Sequence, residues 1–469
     1  MRSTARSFRH NVHVALQDER LQRALHKARG GFIDKRRAAI DALPEFEALR
    51  RSARDIKDHT LAHLDSYLEH FERQVQASGG QVHWAATAEE ARRIIVELCR
   101  SGGGRRITKG KSMVGEEIGL NEALEAAGLE PVETDLGEYI IQLAHEPPSH
   151  IIAPAIHKTR ADISELFRTH HHHQDALGSA REIVDEARQV LRESFLSADV
   201  GITGANFLVA ETGSVVLVTN EGNGDLTATL PRTHIVVAGI EKVVPTLEDT
   251  SVLLRLLARS ATGQPFTAYT SWFTGPRRAD DTDGPEAFHV VLLDNGRSAM
   301  LGSEYREMLR CIRCGACLNH CPVYGAVGGH AYGWVYPGPM GAVLTPLMLG
   351  LSEAGDLPNA STLCGRCEAV CPLSIPLPRL LRQLRTRQHR EKLDHRGSRI
   401  LLSLWGVLAR RPRLYQAVMG TGVRLLAWMG ARHGYLRRLP GAGGWTASRN
   451  LPVPAGRTFQ SAWRRRGRP

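Results

Sequence analysis

Apolar and polar positions divide the chain into four regimes. Over residues 1–75, apolar residues such as Leu16, Leu21, Leu25, Ile33 and Ile40 recur at helical spacing among many charges, which predicts an N-terminal helical region. Over 76–298, short β-rich runs alternate with helical stretches. The runs Gln81–Trp84, Arg106–Thr108, Pro131–Thr134, His150–Ala153, Val200–Thr203, Ser214–Thr219, His234–Ala238 and Phe288–Leu293 predict strands. Between them Ala88–Arg100, Glu117–Ala127 and Gly178–Ser194 predict helices. This alternation predicts a mainly parallel α/β sheet, closed off by a polar loop at Gly275–Pro285. Residues 299–390 hold the cysteines, and 391–469 form a tail with apolar helical patches at Ile400–Leu408 and Leu414–Met429.

Composition changes this picture in two ways. Hydrophobic residues at 42% and charged residues at 23% exclude a disordered chain and a multi-span membrane protein. The basic start (Arg2, Arg6, Arg9) lacks the apolar stretch of a secretory signal, so a cytoplasmic location is expected. The net charge of +11 is unevenly placed: residues 376–469 carry 21 Lys and Arg against only Glu391 and Asp394. A basic tail on an acidic body suits an acidic partner or the inner face of a membrane. Without aromatic platforms or zinc-finger spacing beside these charges, no nucleic acid is expected. The tail reads either as an interfacial amphipathic segment or as a helical hairpin packed on the cysteine region.

Seven of the eight cysteines lie between 311 and 371. The first motif is Cys311-Ile-Arg-Cys314-Gly-Ala-Cys317-Leu-Asn-His-Cys321-Pro322, the C-x2-C-x2-C-x3-C-P spacing of bacterial ferredoxins. Three thiolates on one tight loop can reach one iron–sulfur cubane, while the fourth points toward another. The second motif, Cys364-Gly-Arg-Cys367-Glu-Ala-Val-Cys371-Pro372, repeats the last three cysteines and puts Ser361 where the first would stand. Crossed ligation then gives one cluster on Cys311, Cys314, Cys317 and Cys371. The other rests on Cys321, Cys364 and Cys367 with an open corner. Three outcomes stay open there: ligation by Ser361, completion of a [4Fe–4S] cluster by a partner or solvent, or a [3Fe–4S] cluster. Zinc sites use paired knuckles instead, so two iron–sulfur clusters are expected. Cys99, in the apolar stretch Ile94–Cys99, reads as a buried structural thiol.

Weaker signals lie elsewhere. Thr108-Lys109-Gly110-Lys111-Ser112, between a predicted strand and helix, offers an anion or substrate contact through Lys111 but lacks the P-loop pattern. Glu211-Thr212-Gly213 and Glu221-Gly222-Asn223-Gly224-Asp225 bracket a strand and read equally as turns or as carboxylates facing a crevice. The run His170–His173 offers only adventitious metal contacts, because adjacent histidines on a helix face different directions. No catalytic triad and no dinucleotide fingerprint is evident.

The cysteine pair with Ser361 in the vacant place resembles the lactate utilisation protein B family. So do the stretches Gly329–Pro346, Lys111–Glu122, Ala210–Gly224, Thr274–Pro276 and Phe288–Arg297. The resemblance runs over roughly 10–400 and more weakly into the tail. It implies a LUD domain, similar to the α/β fold of the ribose-phosphate isomerase, glucosamine-phosphate deaminase and CoA-transferase group, followed by an α-helical ferredoxin-type domain. It also implies an electron-transfer subunit in L-lactate oxidation to pyruvate, working with a cysteine-rich subunit and a second LUD-domain subunit. Two rival functions are an iron–sulfur subunit of another 2-hydroxy-acid or glycolate oxidoreductase, and a redox- or metabolite-sensing regulator.

Overall fold

The computed structural model describes residues 3–171, 177–394, 396–439, 445–446 and 449–466. Contacts divide the chain into two compact units, Met1–Arg390 and Glu391–Pro469. The first unit is built around a six-stranded, wholly parallel sheet of order β1-β10-β7-β4-β2-β3. These strands are β1 (Gln81–Ala85), β2 (Arg106–Lys109), β3 (Glu130–Glu133), β4 (Val200–Thr203), β7 (Thr233–Gly239) and β10 (Ala287–Leu293). β4 and β7 are buried along their whole length, which is why their sequences read as continuous runs rather than alternations.

A second sheet, of order β8-β5-β6-β9, covers the first with β5 (Phe207–Val209), β6 (Ser214–Thr219), β8 (Val243–Val244) and β9 (Tyr269–Phe273). β6 runs antiparallel to both neighbours, so the expectation of one mainly parallel sheet holds for six strands and not for these four. β5 and β8, at three and two residues, are too short to leave a periodic signal.

The run His150–Ala153, expected as a strand, is a turn. The His150 ring nitrogen Nδ1 accepts from the Ile152 and Ala153 amides at 3.0 and 3.1 Å. The isoleucines that suggested a strand instead pack on the cysteine region. The helix expected over Glu117–Ala127 is two helices, Met113–Ile118 and Leu120–Ala126, parted at Gly119.

Four helices precede the sheet: Phe8–Gln17, Glu19–Asp41, Phe46–Ala62 and Leu64–Ala77. Asp18 caps the second, accepting from the Arg20 and Leu21 amides. Leu25 of this expected apolar face is buried, whereas Leu16 is exposed. Leu68, Phe71 and Val75 of the fourth helix pack on the sheet, while Phe8 and Phe46 join the core of the cysteine region. Cys99 lies fully buried in the apolar layer on the other sheet face, where burial pushes its thiol up to about 12. Of the histidine run, His170 ends a helix and His171 joins Tyr139 and Glu186, while His172 and His173 lie outside the described residues.

The second unit holds two long helices, Arg396–Ala409 and Pro412–Gly430, which contact each other and leave apolar side chains on the surface. No helix among the described residues is long and apolar enough to cross a membrane.

Candidate metal centre

The two cysteine motifs fold as matching loops. Each bends through left-handed backbone on both sides of one cysteine: Arg313 and Gly315 (φ 59° and 73°) flank Cys314, and Leu363 and Gly365 (φ 54° and 79°) flank Cys364. Glycine adopts this conformation freely, whereas Arg313 and Leu363 pay about 1 kcal/mol each for it. Each loop then runs into a single helical turn, Ala316–Asn319 or Arg366–Ala369. By this match Ser361 stands where Cys311 stands in the first loop.

The fold brings Cys311, Cys314, Cys317 and Cys371 to one cavity, otherwise walled by Arg313 and by apolar side chains such as Ile312, Met340, Leu373 and Ile375. Cys321, Cys364 and Cys367 form a second group within electrostatic reach of one another. None of the seven is in a disulfide. Burial, reinforced by neighbouring thiols, pushes Cys314 and Cys367 up to about 12 and Cys317 well above the usual range. Burial raises Cys371 to about 11, against backbone N–H groups that favour its thiolate. Thiols crowded this way ionise only against cations, which suits an all-sulfur donor set for iron. The Tyr324 amide lies 3.5 Å from Cys321 Sγ, and the Ile375 amide 3.4 Å from Cys371 Sγ. Such N–H···S contacts stabilise thiolate charge.

In the first group Cys314 and Cys371 are buried and Cys311 and Cys317 half-buried; in the second Cys321 and Cys367 are buried and Cys364 is exposed. Ser361 is partly exposed, and its hydroxyl accepts from the Leu363 amide at 3.1 Å. The N-terminal helices strap the second loop from outside: Arg36 Nη2 donates to Val370 O and Arg50 Nη2 to Cys371 O, both at 2.8 Å.

Behind the first loop lies a buried charge network with no motif of its own in the sequence. Arg297 pairs with Glu117 (2.8 Å) and Glu241 (2.6 Å), and Tyr336 Oη donates to Glu117 at 2.6 Å. Arg313 reaches Glu241 at 3.4 Å and lies 4.8 Å over the Tyr336 ring. Burial would push the Glu241 carboxyl up, yet Arg297 and Arg313 bring it down to about 2. Gly239 makes room for this: a Cβ there would sit 2.1 Å from Glu241 Oε2.

The weaker sequence candidates separate. Lys109 is spent on Glu133 (2.6 Å) and Glu116 (3.1 Å), and Ser112 caps the helix Met113–Ile118. Lys111 donates to Ile152 O at 2.6 Å and lines a cavity of about 280 Å³. Glu211 accepts from the Leu247 amide, a helix start, and Asp225 accepts from Ser271. Glu221 lines the same cavity as Lys111.

Comparison with known proteins decides the family. The chain is 46% identical to lactate utilization protein B of Shouchella clausii, across 98% of this chain and 97% of that one. The chain belongs to the lactate utilisation protein B family. It is also 42% identical to the protein of that name from Oceanobacillus iheyensis, over 98% and 97% of the two chains. The uncharacterized electron transport protein YkgF of Escherichia coli matches at 42% identity over 97% of this chain and 95% of its own. Residues 68–293 match the LUD domain, 307–375 the 4Fe-4S dicluster domain, and 382–468 the C-terminal region of lactate utilisation protein B. The parallel-sheet region is thus a LUD domain and the helical cysteine region a dicluster domain. The cofactors of this family member are two [4Fe–4S] clusters.

Proposed function

We propose that this chain is an iron–sulfur electron-transfer protein of lactate utilisation, handling electrons released when L-lactate is oxidised to pyruvate. The gathering of seven thiols into two adjoining groups, one lining a cavity and one with Cys364 at the surface, carries this reading. The first cluster rests on Cys311, Cys314, Cys317 and Cys371, and the second on Cys321, Cys364 and Cys367 with Ser361 at its fourth corner. Iron–sulfur clusters supply reversible one-electron transfer, and two of them can hold the electron pair of one hydroxy acid. The residues of this chain set how those electrons are held. Arg313, Lys57 and Lys242 surround the first site with positive charge, Cys311 being among the groups each of them feels. Positive surroundings and N–H···S contacts favour the reduced state, while the exposed Cys364 brings the second site to the surface for an acceptor.

The names of the relatives support partners in a lactate utilisation system, and a cysteine-rich subunit and a further LUD-domain subunit fit that role. The tail favours a second contact. Leu401, Leu404, Trp405 and Trp428 are exposed on helices carrying Arg410, Arg411, Arg413 and Arg424 or flanked by them, the pattern of a segment lying on an anionic membrane surface.

The decisive experiment is iron and sulfide analysis with EPR on anaerobically purified protein, before and after dithionite. Iron and sulfide for two cubanes, with reduced [4Fe–4S] signals, supports the reading. Zinc without sulfide refutes it, and a [3Fe–4S] signal in the oxidised protein removes Ser361 from the ligand set.

A further inference from the structure

The cavity of about 280 Å³ opens where strands end. Gly110 and Lys111 follow β2, Asp135 follows β3, Gly204 follows β4 and Lys242 follows β7, so the cavity occupies the carboxyl edge of the parallel sheet, where ligands of such sheets bind. Its other side is closed by the second sheet through Leu217, Val218 and Thr219. Ile151 and Arg313 line this cavity and the four-cysteine cavity alike, so the two share a wall.

Lys242 is the telling residue. It is only 8% exposed, it lines the cavity, and its ammonium has no hydrogen bond or ion pair among the described residues. Its neighbour Glu241 is already engaged by Arg297 and Arg313. Its Nζ keeps accessible surface in the cavity, and an ammonium so placed without a hydrogen-bonded partner favours an anion there. Thr219, whose buried hydroxyl also has no partner, lines the cavity too, and Lys111 adds a second cation with no carboxylate partner.

The lining also limits what that anion can be. Asp135 and Glu221 face the same space, and they would repel the second charge of a phosphate while accepting a hydrogen bond from a hydroxyl or amine. The volume excludes a dinucleotide and admits a small acid.

We propose that this cavity binds a small monocarboxylate bearing a hydroxyl or amine donor next to its carboxylate, held through Lys242 beside the first iron–sulfur site. The binding step forms hydrogen bonds and an ion pair and transfers no electron. That the natural ligand is lactate rests on the functional reading above; the site itself does not.

Calorimetry on the cluster-intact protein, kept anaerobic, tests this with L-lactate, L-alanine, pyruvate and inorganic phosphate as separate probes. Binding of lactate identifies a hydroxy acid and binding of alanine an amino acid, and either supports the site. In Lys242→Gln that binding weakens roughly ten- to hundred-fold, as expected for loss of a charge-assisted contact. Iron and sulfide contents stay unchanged in this variant. Thr219→Val, which removes an unpartnered hydroxyl without changing shape, weakens binding while leaving the fold intact. Four outcomes overturn the proposal: no carboxylate binds, phosphate binds more tightly than either acid, pyruvate binds as well as lactate and alanine, or both variants bind as the parent does. Anaerobically purified protein that holds zinc and no sulfide yet binds lactate would end the electron-transfer reading and leave this site standing.

Discussion

Arg313 of the first cysteine loop and Glu241, two residues past β7, face each other across 3.4 Å. Through this pair the loop that carries Cys311 and Cys314 is held to the LUD-domain sheet. Glu241 also serves Arg297 at 2.6 Å, so one buried carboxylate answers two buried guanidiniums. Glu241→Gln keeps the shape and removes the charge. It is expected to destabilise the protein by about 3–5 kcal/mol, because two buried cations lose a counter-charge. Thermal unfolding of the cluster-loaded protein measures this, and a change under 1 kcal/mol would show the network to be dispensable.

Cys314→Ser removes a thiol from the four-cysteine cavity. Iron and sulfide should fall by one cluster's worth, and lactate-dependent reduction of an acceptor by the assembled system should cease. Cys99→Ser puts a hydroxyl into an apolar layer, at a cost of about 1–3 kcal/mol, and should leave the iron content as it was. Full activity of Cys314→Ser with that cluster gone would end the two-site relay.

Ser361 occupies the place of Cys311 in a loop of the same backbone shape. Ser361→Cys should therefore supply a fourth thiolate and make the second cluster more resistant to iron loss in air. Iron retention followed by absorbance over time gives the comparison. Loss at the parent rate would mean that position 361 does not face the cluster.

His234 in β7 is buried between Phe273 and Phe288, with Nε2 2.8 Å from Thr203 Oγ1. Burial holds its ring neutral down to about 3. An unfolded histidine takes up its proton near 6.5, so between these values the unfolded chain binds a proton that the folded chain refuses. Stability contributed by this residue is full above that upper value and falls as the pH drops below it. His234→Gln should flatten the decline of the urea midpoint between pH 7.5 and 5.5 by up to one proton's worth, about 1.4 kcal/mol per pH unit. An unchanged slope would show that the ring is protonated in the folded protein.

If the tail lies on lipid, Trp405 and Trp428 anchor it. Replacing both with serine should lower co-flotation with anionic vesicles several-fold and leave EPR signals unchanged. Equal flotation of parent and variant would assign these surfaces to a protein partner.

The cysteine motifs were legible because ligand spacing is a local property, written in consecutive residues. The six parallel strands were nearly as clear: β4, β7 and β10 are buried and leave apolar runs, while β1 and β3, more exposed, stood out by their alternation with helices. What the sequence hid was long-range. The Ile151–Ile152 pair looked like a strand because its burying partner, the cysteine loop, lies far along the chain. The network of Glu117, Glu241, Arg297, Arg313 and Tyr336 was hidden because charges assembled from five segments have no common spacing to read, and Lys242 carries no motif either. Of the crevice candidates, Lys111 after β2 lines the cavity, and of the two carboxylates flanking β6 Glu221 lines it and Glu211, at the other end of the strand, does not.

The exposure of Cys364 also bears on how the protein is made. Cys314, Cys321, Cys367 and Cys371 are buried and Cys311 and Cys317 half-buried, while Arg36 and Arg50 of the N-terminal helices hold the Val370 and Cys371 carbonyls. Of the seven thiols Cys364 alone stands at the surface, so it is the one that iron arriving at a finished fold meets first.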